Sequence, residues 1–295
     1  MKNIILVTGG AGFVGSNLIE LLLRRTKKKI ISLDNYSTGT KKNHLRSSRL
    51  KYLRGNTKDI NNLLHKHRKK IHSIFHFGEF ARIYQSFKNY DECYASNSIG
   101  SMAVFKFCLD NKIKLVYSAT SASLGNSGRD KNLSPYAFTK SKNLELLENL
   151  KLWFNFKFEV IYFYNVYGPR QIKTGKMATV IGIFEDLYFK RKPLSVVKPG
   201  TQSRRFTHIY DTINVCYDAW RKNKCCHYSI SHKKSYTILE VAKLFGSKIQ
   251  LLNARPGERY ASALTKMSQN NRIIRKYGKI NLKDYISSFI KVTKL

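Results

Sequence analysis

Short apolar runs alternate with stretches of helical periodicity through the first half of the chain. The apolar runs have the length of strands and lie at residues 4–8, 30–33, 50–53, 74–77, 115–118 and 159–163. Helical patterns begin at Phe13 and lie near residues 60–67, 93–111 and 135–154. Such alternation predicts parallel strands joined by crossover helices, so the expected fold class is α/β with a doubly wound parallel sheet.

The alternation of strand-like and helix-like segments becomes less regular beyond Gly168 and Pro169. The second half predicts short strands near residues 194–197 and 248–251, and helices near residues 181–190, 211–222 and 238–244. No internal repeat or low-complexity linker separates the two halves. We therefore expect a nucleotide-binding domain over residues 1–168 and a smaller α/β lid over residues 169–295 that binds substrate, with chain segments crossing between the two.

Composition narrows the class of protein. With 295 residues, 42% of them hydrophobic, the chain is long enough to bury a large core. Since no apolar run is long enough to cross a bilayer and the chain enters a strand directly, we expect a cytoplasmic protein with no membrane partner. The five cysteines lack the spacing of a metal site, so we expect them to be reduced and no metal to be bound.

The net charge of +36 is strongly basic and would ordinarily indicate a polyanionic partner. The basic residues are instead spread over predicted helix faces and turns, without a motif for binding RNA or DNA. This distribution favours a solvated surface over a dedicated nucleic-acid site. The positive field is also expected to speed the approach of a doubly charged nucleotide substrate.

A glycine-rich turn joins the first strand to the first helix. It reads Thr-Gly-Gly-Ala-Gly-Phe-Val-Gly over residues 8–15. Gly9 permits a tight turn, Gly12 lets the backbone approach a pyrophosphate, and Gly15 lets the helix pack closely on the strand. We interpret it as the phosphate-binding turn of an NAD(P)-binding Rossmann fold, although an ordinary strand-to-helix loop can also be rich in glycine.

Asp34 ends the second apolar run, about twenty residues after this turn. A carboxylate in that place accepts hydrogen bonds from both hydroxyls of the adenosine ribose and repels a 2'-phosphate. The sequence therefore favours NAD over NADP.

Tyr136 and Lys140 lie one helical turn apart, just after Pro135 begins a predicted helix. An ammonium ~5 Å from a phenol, at an effective dielectric constant of ~20, stabilises the phenolate by about 3 kcal/mol, or roughly two pKa units. Such a tyrosine would serve as a base near neutral pH. The alternative is a partly exposed tyrosine and a surface lysine on an amphipathic helix.

Small hydroxyl residues follow the strand at residues 115–118, where ligands of this sheet architecture bind. They include Ser118 and Thr120, and a hydroxyl there can relay a proton. Some of these side chains are expected only to satisfy hydrogen bonds within the turn.

The chain resembles the extended short-chain dehydrogenase/reductase superfamily and, within it, the NAD-dependent nucleotide-sugar epimerases and dehydratases of the UDP-glucose 4-epimerase type. The resemblance covers about residues 1 to 265. Its motifs are the glycine turn, the segments at 33–39, 118–120 and 164–169, Tyr136 with Lys140, Arg204 within 202–206, and the segment at 255–258.

The resemblance implies roles for the catalytic and cofactor residues. Tyr136 would be the base, Lys140 would bind the nicotinamide ribose and lower the tyrosine pKa, and Thr120 would aid proton transfer. The implied cofactor residues are Gly9, Gly12, Phe13, Val14, Gly15, Asp34, Asn35, Asp59, Ile60, Phe77, Gly78, Asn97, Ser118, Tyr136 and Lys140.

The resemblance also implies a substrate site and a dimer. Thr120 and Asn165 would contact the sugar or its phosphate, Arg204 and Arg255 would clamp the diphosphate, and Val196 and Val197 would border the nucleotide base. Forked guanidinium donors suit a diphosphate geometrically. Related proteins dimerise through the helices near residues 93–111 and 135–154, so a homodimer is expected.

Four positions depart from the pattern of the family. Glu79 stands where a small residue is usual, Arg205 replaces an aspartate, the loop at 126–134 is short, and 198–200 replaces a turn containing an acidic residue. Ser262 aligns with the position that limits the sugar's C2 substituent, which would leave room for an N-acetyl group.

Ser121 and Ala122 follow the threonine, where the dehydratases of the family carry Asp-Glu and the UDP-glucuronate decarboxylases carry a glutamate. Elimination needs an acid and a base beyond the hydride step, so epimerisation at C4 of a UDP-sugar is the favoured reaction. Epimerisation or reduction of another nucleotide sugar, such as a UDP-uronic acid or a GDP- or CDP-sugar, is the alternative. A catalytically silent NAD-bound protein that recruits RNA is the alternative from another class.

Overall fold

The computed structural model describes residues 2–254, 256 and 276–294. The strands are β1 (Ile4–Thr8), β2 (Lys29–Asp34), β3 (Leu50–Arg54), β4 (Ile71–His76), β5 (Lys114–Thr120), β6 (Phe158–Phe163), β7 (Val166–Tyr167), β8 (Leu194–Val197), β9 (Ser203–Arg205), β10 (Thr207–His208), β11 (His227–Ser229), β12 (Ser235–Thr237) and β13 (Ile249–Leu252). The α-helices are α1 (Phe13–Arg25), α2 (Ile60–Leu64), α3 (Ile83–Lys88), α4 (Tyr90–Tyr94), α5 (Ser101–Asp110), α6 (Pro135–Phe154), α7 (Val180–Phe189), α8 (Ile209–Lys222), α9 (Ile238–Leu244) and α10 (Leu282–Lys294).

A seven-stranded sheet in the order β11-β6-β5-β4-β1-β2-β3 forms the centre of the molecule. Every neighbouring pair in it is parallel. The chain order reverses between β1 and β4, which opens a crevice at the carboxyl ends of these strands. The predicted doubly wound sheet of the Rossmann type is confirmed.

Each face of the sheet is covered by helices because successive side chains along a strand point to opposite faces. Ile4 and Leu6 of β1 pack on one face with residues of α5 and α6, while Ile5 and Val7 pack on the other face with residues of α1 and α8. The helix α6 contributes an apolar stripe to this first core: Leu147 is fully buried, and Leu144 and Leu150 pack beside it.

The second half of the chain contributes both to the large sheet and to a separate, smaller α/β unit. The helix α8 and the strand β11 join the large sheet, with β11 pairing beside β6. A separate apolar core forms around Tyr167, Phe184, Val196 and Phe245, where α7 and α9 pack on the paired strands β8 and β13. This smaller α/β unit accompanies the large sheet as the sequence predicts.

Several boundaries differ from those expected from the sequence. The predicted helix near 60–67 is only the short α2, and the helix near 93–111 is divided into α4, a π-helical turn at Ala95–Gly100, and α5. The short strands β7, β9, β10, β11 and β12 and the helices α3 and α10 were not expected. Among the described residues, none of the helices has both the length and the apolar character needed to span a bilayer.

Candidate active site

A cavity of about 760 Å³ lies along the carboxyl ends of β1, β2, β4, β5 and β6. It brings together most of the site residues predicted from the sequence. Those that line it are Gly9, Gly12, Phe13, Val14, Gly15, Asp34, Asn35, Phe77, Gly78, Ser118, Thr120, Tyr136, Lys140 and Asn165. The glycine turn and the tyrosine-lysine pair, predicted separately, therefore share one space.

The glycine turn packs too tightly for side chains at three of its four glycines, Gly9, Gly10 and Gly15. A Cβ on Gly15 would lie 2.2 Å from the Gly9 carbonyl oxygen, and Gly9 has a φ of +68°. A Cβ on Gly12 would meet only that same oxygen, at 3.2 Å, among the described residues, so Gly12 faces the cavity. The helix α1 begins directly after it, with amides directed at the open space. This cradle fits the pyrophosphate of a dinucleotide.

Asp34 ends β2 at the rim of the cavity and is buried. Its Oδ2 accepts a hydrogen bond of 2.9 Å from the Ala11 amide, and its Oδ1 accepts one of 2.8 Å from the Tyr36 amide. Burial raises the pKa of Asp34, while these backbone hydrogen bonds lower it. The carboxylate is thus held in place by the backbone at the position expected to meet the adenosine ribose.

Asp59 and Ile60, two of the implied cofactor residues, do not line the cavity. Ile60 is fully buried in the core, and Asp59 is exposed at the end of the 3-10 turn at Thr57–Asp59. The cavity wall at this place is formed instead by residues 55–58.

Asn97 lies behind the cavity wall. Its Oδ1 accepts from the Phe80 amide at 2.7 Å, and its Nδ2 donates to the Phe80 carbonyl at 3.0 Å and to Thr139 Oγ1 at 3.2 Å. Phe80 itself lines the cavity. Asn97 therefore fixes the backbone of a lining residue rather than lining the space.

The helix α6 begins at Pro135, and the Ser134 side chain caps it by accepting from the Ala137 amide at 3.1 Å. This start places Tyr136 in the first turn, half-buried and lining the cavity. Lys140 lies one turn later and is buried. Both side chains therefore lie at the cavity, as their spacing predicts, and not at a solvated helix surface.

Lys140 is not a lone cation. Its Nζ donates to the Glu79 carboxylate and to the Ser118 carbonyl, and it lies 4.3 Å from the centroid of the Tyr117 ring. Burial lowers the pKa of Lys140, and the charge of the neighbouring carboxylate raises it. The sequence marks Glu79 as unusual but does not indicate this pairing.

Thr120 ends β5 within the cavity wall. Its Oγ1 accepts from the Ala122 amide at 3.1 Å, which fixes the oxygen and leaves its hydroxyl hydrogen as a donor. The Ser118 hydroxyl donates to the His76 carbonyl at 3.0 Å and so ties β5 to β4. Ser121 and Ala122 continue the wall without a carboxylate.

Fewer of the residues expected to bind substrate line the cavity. Asn165 lines the cavity, and its Nδ2 donates to the Arg205 carbonyl at 2.8 Å. Val196 is fully buried in the smaller core, and Val197 is half-buried at the end of β8. Arg204 in β9 is buried, and its Nη1 donates to the Ser203 carbonyl at 2.8 Å. These three do not line the cavity. Arg255 and Ser262 lie outside the described residues.

Arg82 lines the cavity and had no sequence signal. Its Nε and Nη2 donate to the Met177 carbonyl at 2.9 and 2.6 Å, and Nη1 donates to the Ala81 carbonyl at 2.7 Å. It thereby ties the segment after β4 to the loop at 172–179, which supplies Lys176 and Met177 to the wall. An irregular loop has no periodicity from which this contact could be predicted.

Comparisons with known proteins agree with this architecture. Residues 5–231 match the model of the family described as the NAD dependent epimerase/dehydratase family. The uncharacterized UDP-glucose epimerase YtcB of Bacillus subtilis is 31% identical over 228 residues, which cover 71% of this chain and 70% of that protein.

Solved structures share the fold over nearly the whole chain. A UDP-glucose 4-epimerase of Thermotoga maritima, solved with UDP-glucose, superposes with a TM-score of 0.88 at 21% identity, covering 99% of this chain and 98% of the other. The dTDP-glucose 4,6-dehydratase DesIV of Streptomyces venezuelae, solved with NAD, gives a TM-score of 0.89 at 19% identity, covering 99% and 97%. The sequence resemblance is confirmed: this chain is an enzyme of the NAD dependent epimerase/dehydratase family, and NAD is its cofactor.

Proposed function

We propose that the enzyme inverts C4 of a UDP-sugar through a transient 4-keto sugar. The observation that carries the proposal is one cavity holding the glycine cradle, Tyr136, Lys140 and Thr120, with Ser121 and Ala122 in its wall. Elimination would need a further acid and base, and the wall offers no carboxylate where the dehydratases of the family carry theirs. Reversible oxidation at C4 needs none.

Each residue of this cluster has a defined task in the proposal. Tyr136 removes the proton of the C4 hydroxyl and later returns it, and the Thr120 hydroxyl donates to the same oxygen. Lys140 holds the nicotinamide ribose, and its ammonium favours the phenolate. NAD, when bound there, would supply the acceptor and donor of the hydride exchanged with C4.

The cofactor would lie on the elements that line the cavity. Gly9, Gly12 and Gly15 leave the space for the pyrophosphate at the start of α1. Asp34 and Asn35 would accept hydrogen bonds from the adenosine ribose hydroxyls, and the Asp34 carboxylate would repel the 2'-phosphate of NADP. The diphosphate clamp by Arg204 and Arg255, the base contacts of Val196 and Val197, and the division at residue 168 stay predictions.

One observation favours a second candidate substrate. Arg82 and Lys176 both line the cavity, and Arg82 lies within electrostatic range of Tyr136. A sugar that carries a carboxylate, as in a UDP-uronic acid, would place its charge between these cations. The same Tyr136 and Lys140 chemistry would then act on an acidic sugar.

Incubation of the purified protein with UDP-glucose, UDP-N-acetylglucosamine, UDP-glucuronate and matched GDP- and CDP-sugars tests the function. We expect the C4 epimer of one UDP-sugar to appear, separated from its substrate by chromatography against product standards, and NAD to copurify, identified by mass spectrometry. A 4-keto-6-deoxy product would instead assign a dehydratase. No conversion of any UDP-sugar in the panel would contradict the proposed reaction.

A homodimer formed through α5 and α6 also stays a proposal. Met102 on α5 and Leu152 and Trp153 on α6 are exposed, by 56%, 79% and 63%. We expect Met102→Lys to weaken dimerisation at least about tenfold by placing a charge at the apolar contact, measured by sedimentation velocity. Val292→Lys on α10, also at an exposed apolar position, is the matched control. A wild-type protein that sediments as a monomer contradicts the dimer.

The cytoplasmic location likewise stays a prediction.

A further inference from the structure

Glu79 is a buried carboxylate at the centre of the candidate site. Its side chain is 3% exposed and that of its partner Lys140 is 4% exposed. One oxygen, Oε2, accepts from Lys140 Nζ. The other, Oε1, accepts from Ser101 Oγ at 2.9 Å, from the Tyr117 hydroxyl at 3.0 Å and from Asn143 Nδ2 at 3.2 Å. Such complete hydrogen bonding is what a buried ionised carboxylate requires.

The network is built from four elements that are far apart in the sequence. The turn after β4 supplies Glu79, β5 supplies Tyr117, α5 begins with Ser101, and α6 supplies Lys140 and Asn143. Through Ser101 Oγ the network reaches His76 Nε2 at 3.0 Å, and through His76 Nδ1 it reaches Thr8 Oγ1 at 2.7 Å. It therefore connects the tyrosine-lysine helix to the strand that enters the glycine turn.

Few of the titratable groups around this pair carry charge at neutral pH. Burial lowers the pKa of His76 to about 4, raises that of the Cys93 thiol to about 11, and raises that of the Tyr117 phenol well above its usual range. Among the described residues, the charged side chains that act on these groups include Arg82, which interacts electrostatically with Tyr136, and Glu92 on α4. Glu79 is thus the anion that directly faces the ammonium of Lys140.

We propose that Glu79 is a positioning residue, which holds Lys140 Nζ against the end of β5 and offsets the charge of its ammonium. The Tyr136-Lys140 couple then works at a higher pH than it would without the carboxylate. This proposal rests on the proposed roles of Tyr136 and Lys140. It concerns a residue whose usual counterpart in the family is small and carries no charge.

The direction of the effect follows from electrostatics alone. A negative charge disfavours ionisation of a phenol and favours protonation of an amine, so it raises the pKa of both kinds of group. Its removal therefore moves both titrations towards lower pH. A unit charge about 10 Å away, at an effective dielectric constant of about 20, shifts a titration by about one pH unit.

Glu79→Gln tests the proposal because it removes the charge and keeps the size of the side chain. Titration of Tyr136 is followed by phenolate absorbance, with the matched Tyr136→Phe protein subtracted to remove the other tyrosines among the 18 in the chain. We expect the midpoint of Tyr136 to fall by about one pH unit in Glu79→Gln and to stay at its wild-type value in Glu79→Asp. The profile of kcat/KM against pH is expected to move by the same amount.

Ser101→Ala is the matched control, since it removes a hydrogen bond to the same carboxylate without changing its charge. It is expected to leave the midpoint in place, whatever its effect on the rate. An unchanged midpoint in a folded Glu79→Gln protein, checked by circular dichroism, overturns the proposal. Since the absorbance titration needs neither cofactor nor substrate, a shifted midpoint in a protein with no turnover would reject the proposed function and leave the role of Glu79 standing.

Discussion

Tyr136→Phe is expected to lower kcat by a factor on the order of 10²–10⁴, the usual contribution of a positioned general base. The substitution removes one oxygen atom from a half-buried ring that lines the cavity, so the fold and the glycine cradle stay intact. In the proposed mechanism the phenolate takes the proton of the sugar hydroxyl, and a phenylalanine ring cannot. Steady-state kinetics on the converted substrate, with bound NAD quantified after denaturation, measures both consequences.

Tyr210→Phe provides the matched control, because this exposed ring lies on α8 and does not line the cavity. Its kcat and NAD content should equal those of the wild-type protein. A Tyr136→Phe enzyme that keeps most of its activity would remove Tyr136 from the mechanism. Loss of NAD together with activity would indicate a cofactor-binding role instead.

Lys140→Met is expected to lower the free energy of unfolding by about 3–5 kcal/mol. The substitution leaves the Glu79 carboxylate buried without its cation, and an isolated charge in the interior is far less stable than the same charge in water. The hydrogen bonds from Ser101, Tyr117 and Asn143 remain and offset only part of this cost. Denaturant unfolding at pH 7 measures the change.

The double variant Glu79→Gln/Lys140→Met separates lost charge from lost packing. Since neither charge remains, it should regain most of the stability that Lys140→Met loses, which a double-mutant cycle expresses as a coupling energy. Additive losses in the double variant would show that the pair is not coupled.

The parts of the site that depend on local sequence were predictable. The glycine turn, Asp34, and the spacing of Tyr136 and Lys140 each lie on one strand-to-helix unit, where chain geometry fixes which groups face the cavity. The long periodic helix α6 and the buried strands of the sheet were predicted for the same reason. A strong local pattern leaves little for tertiary contacts to change.

The shortest strands were not predictable in this way. The strands β7, β9, β10, β11 and β12 have two or three residues each, too few for alternation of apolar and polar side chains to be visible. β11 belongs to the large sheet because it pairs with β6, which is distant in sequence. Val196 lies in an apolar core that several separate segments complete, and its expected contact with the nucleotide base stays a prediction.

By itself, the sequence determined the α/β sheet, the NAD-binding turn and the spacing of Tyr136 and Lys140, because each depends on residues within one or two neighbouring elements. Only the tertiary structure decided that Glu79 faces Lys140, that Asn97 supports Phe80 from behind the wall, and that Arg82 ties the cavity to the loop at 172–179. The physical reason is that these contacts join residues 17 to 95 positions apart in the sequence, whose meeting is set by the packing of the whole sheet and its helices.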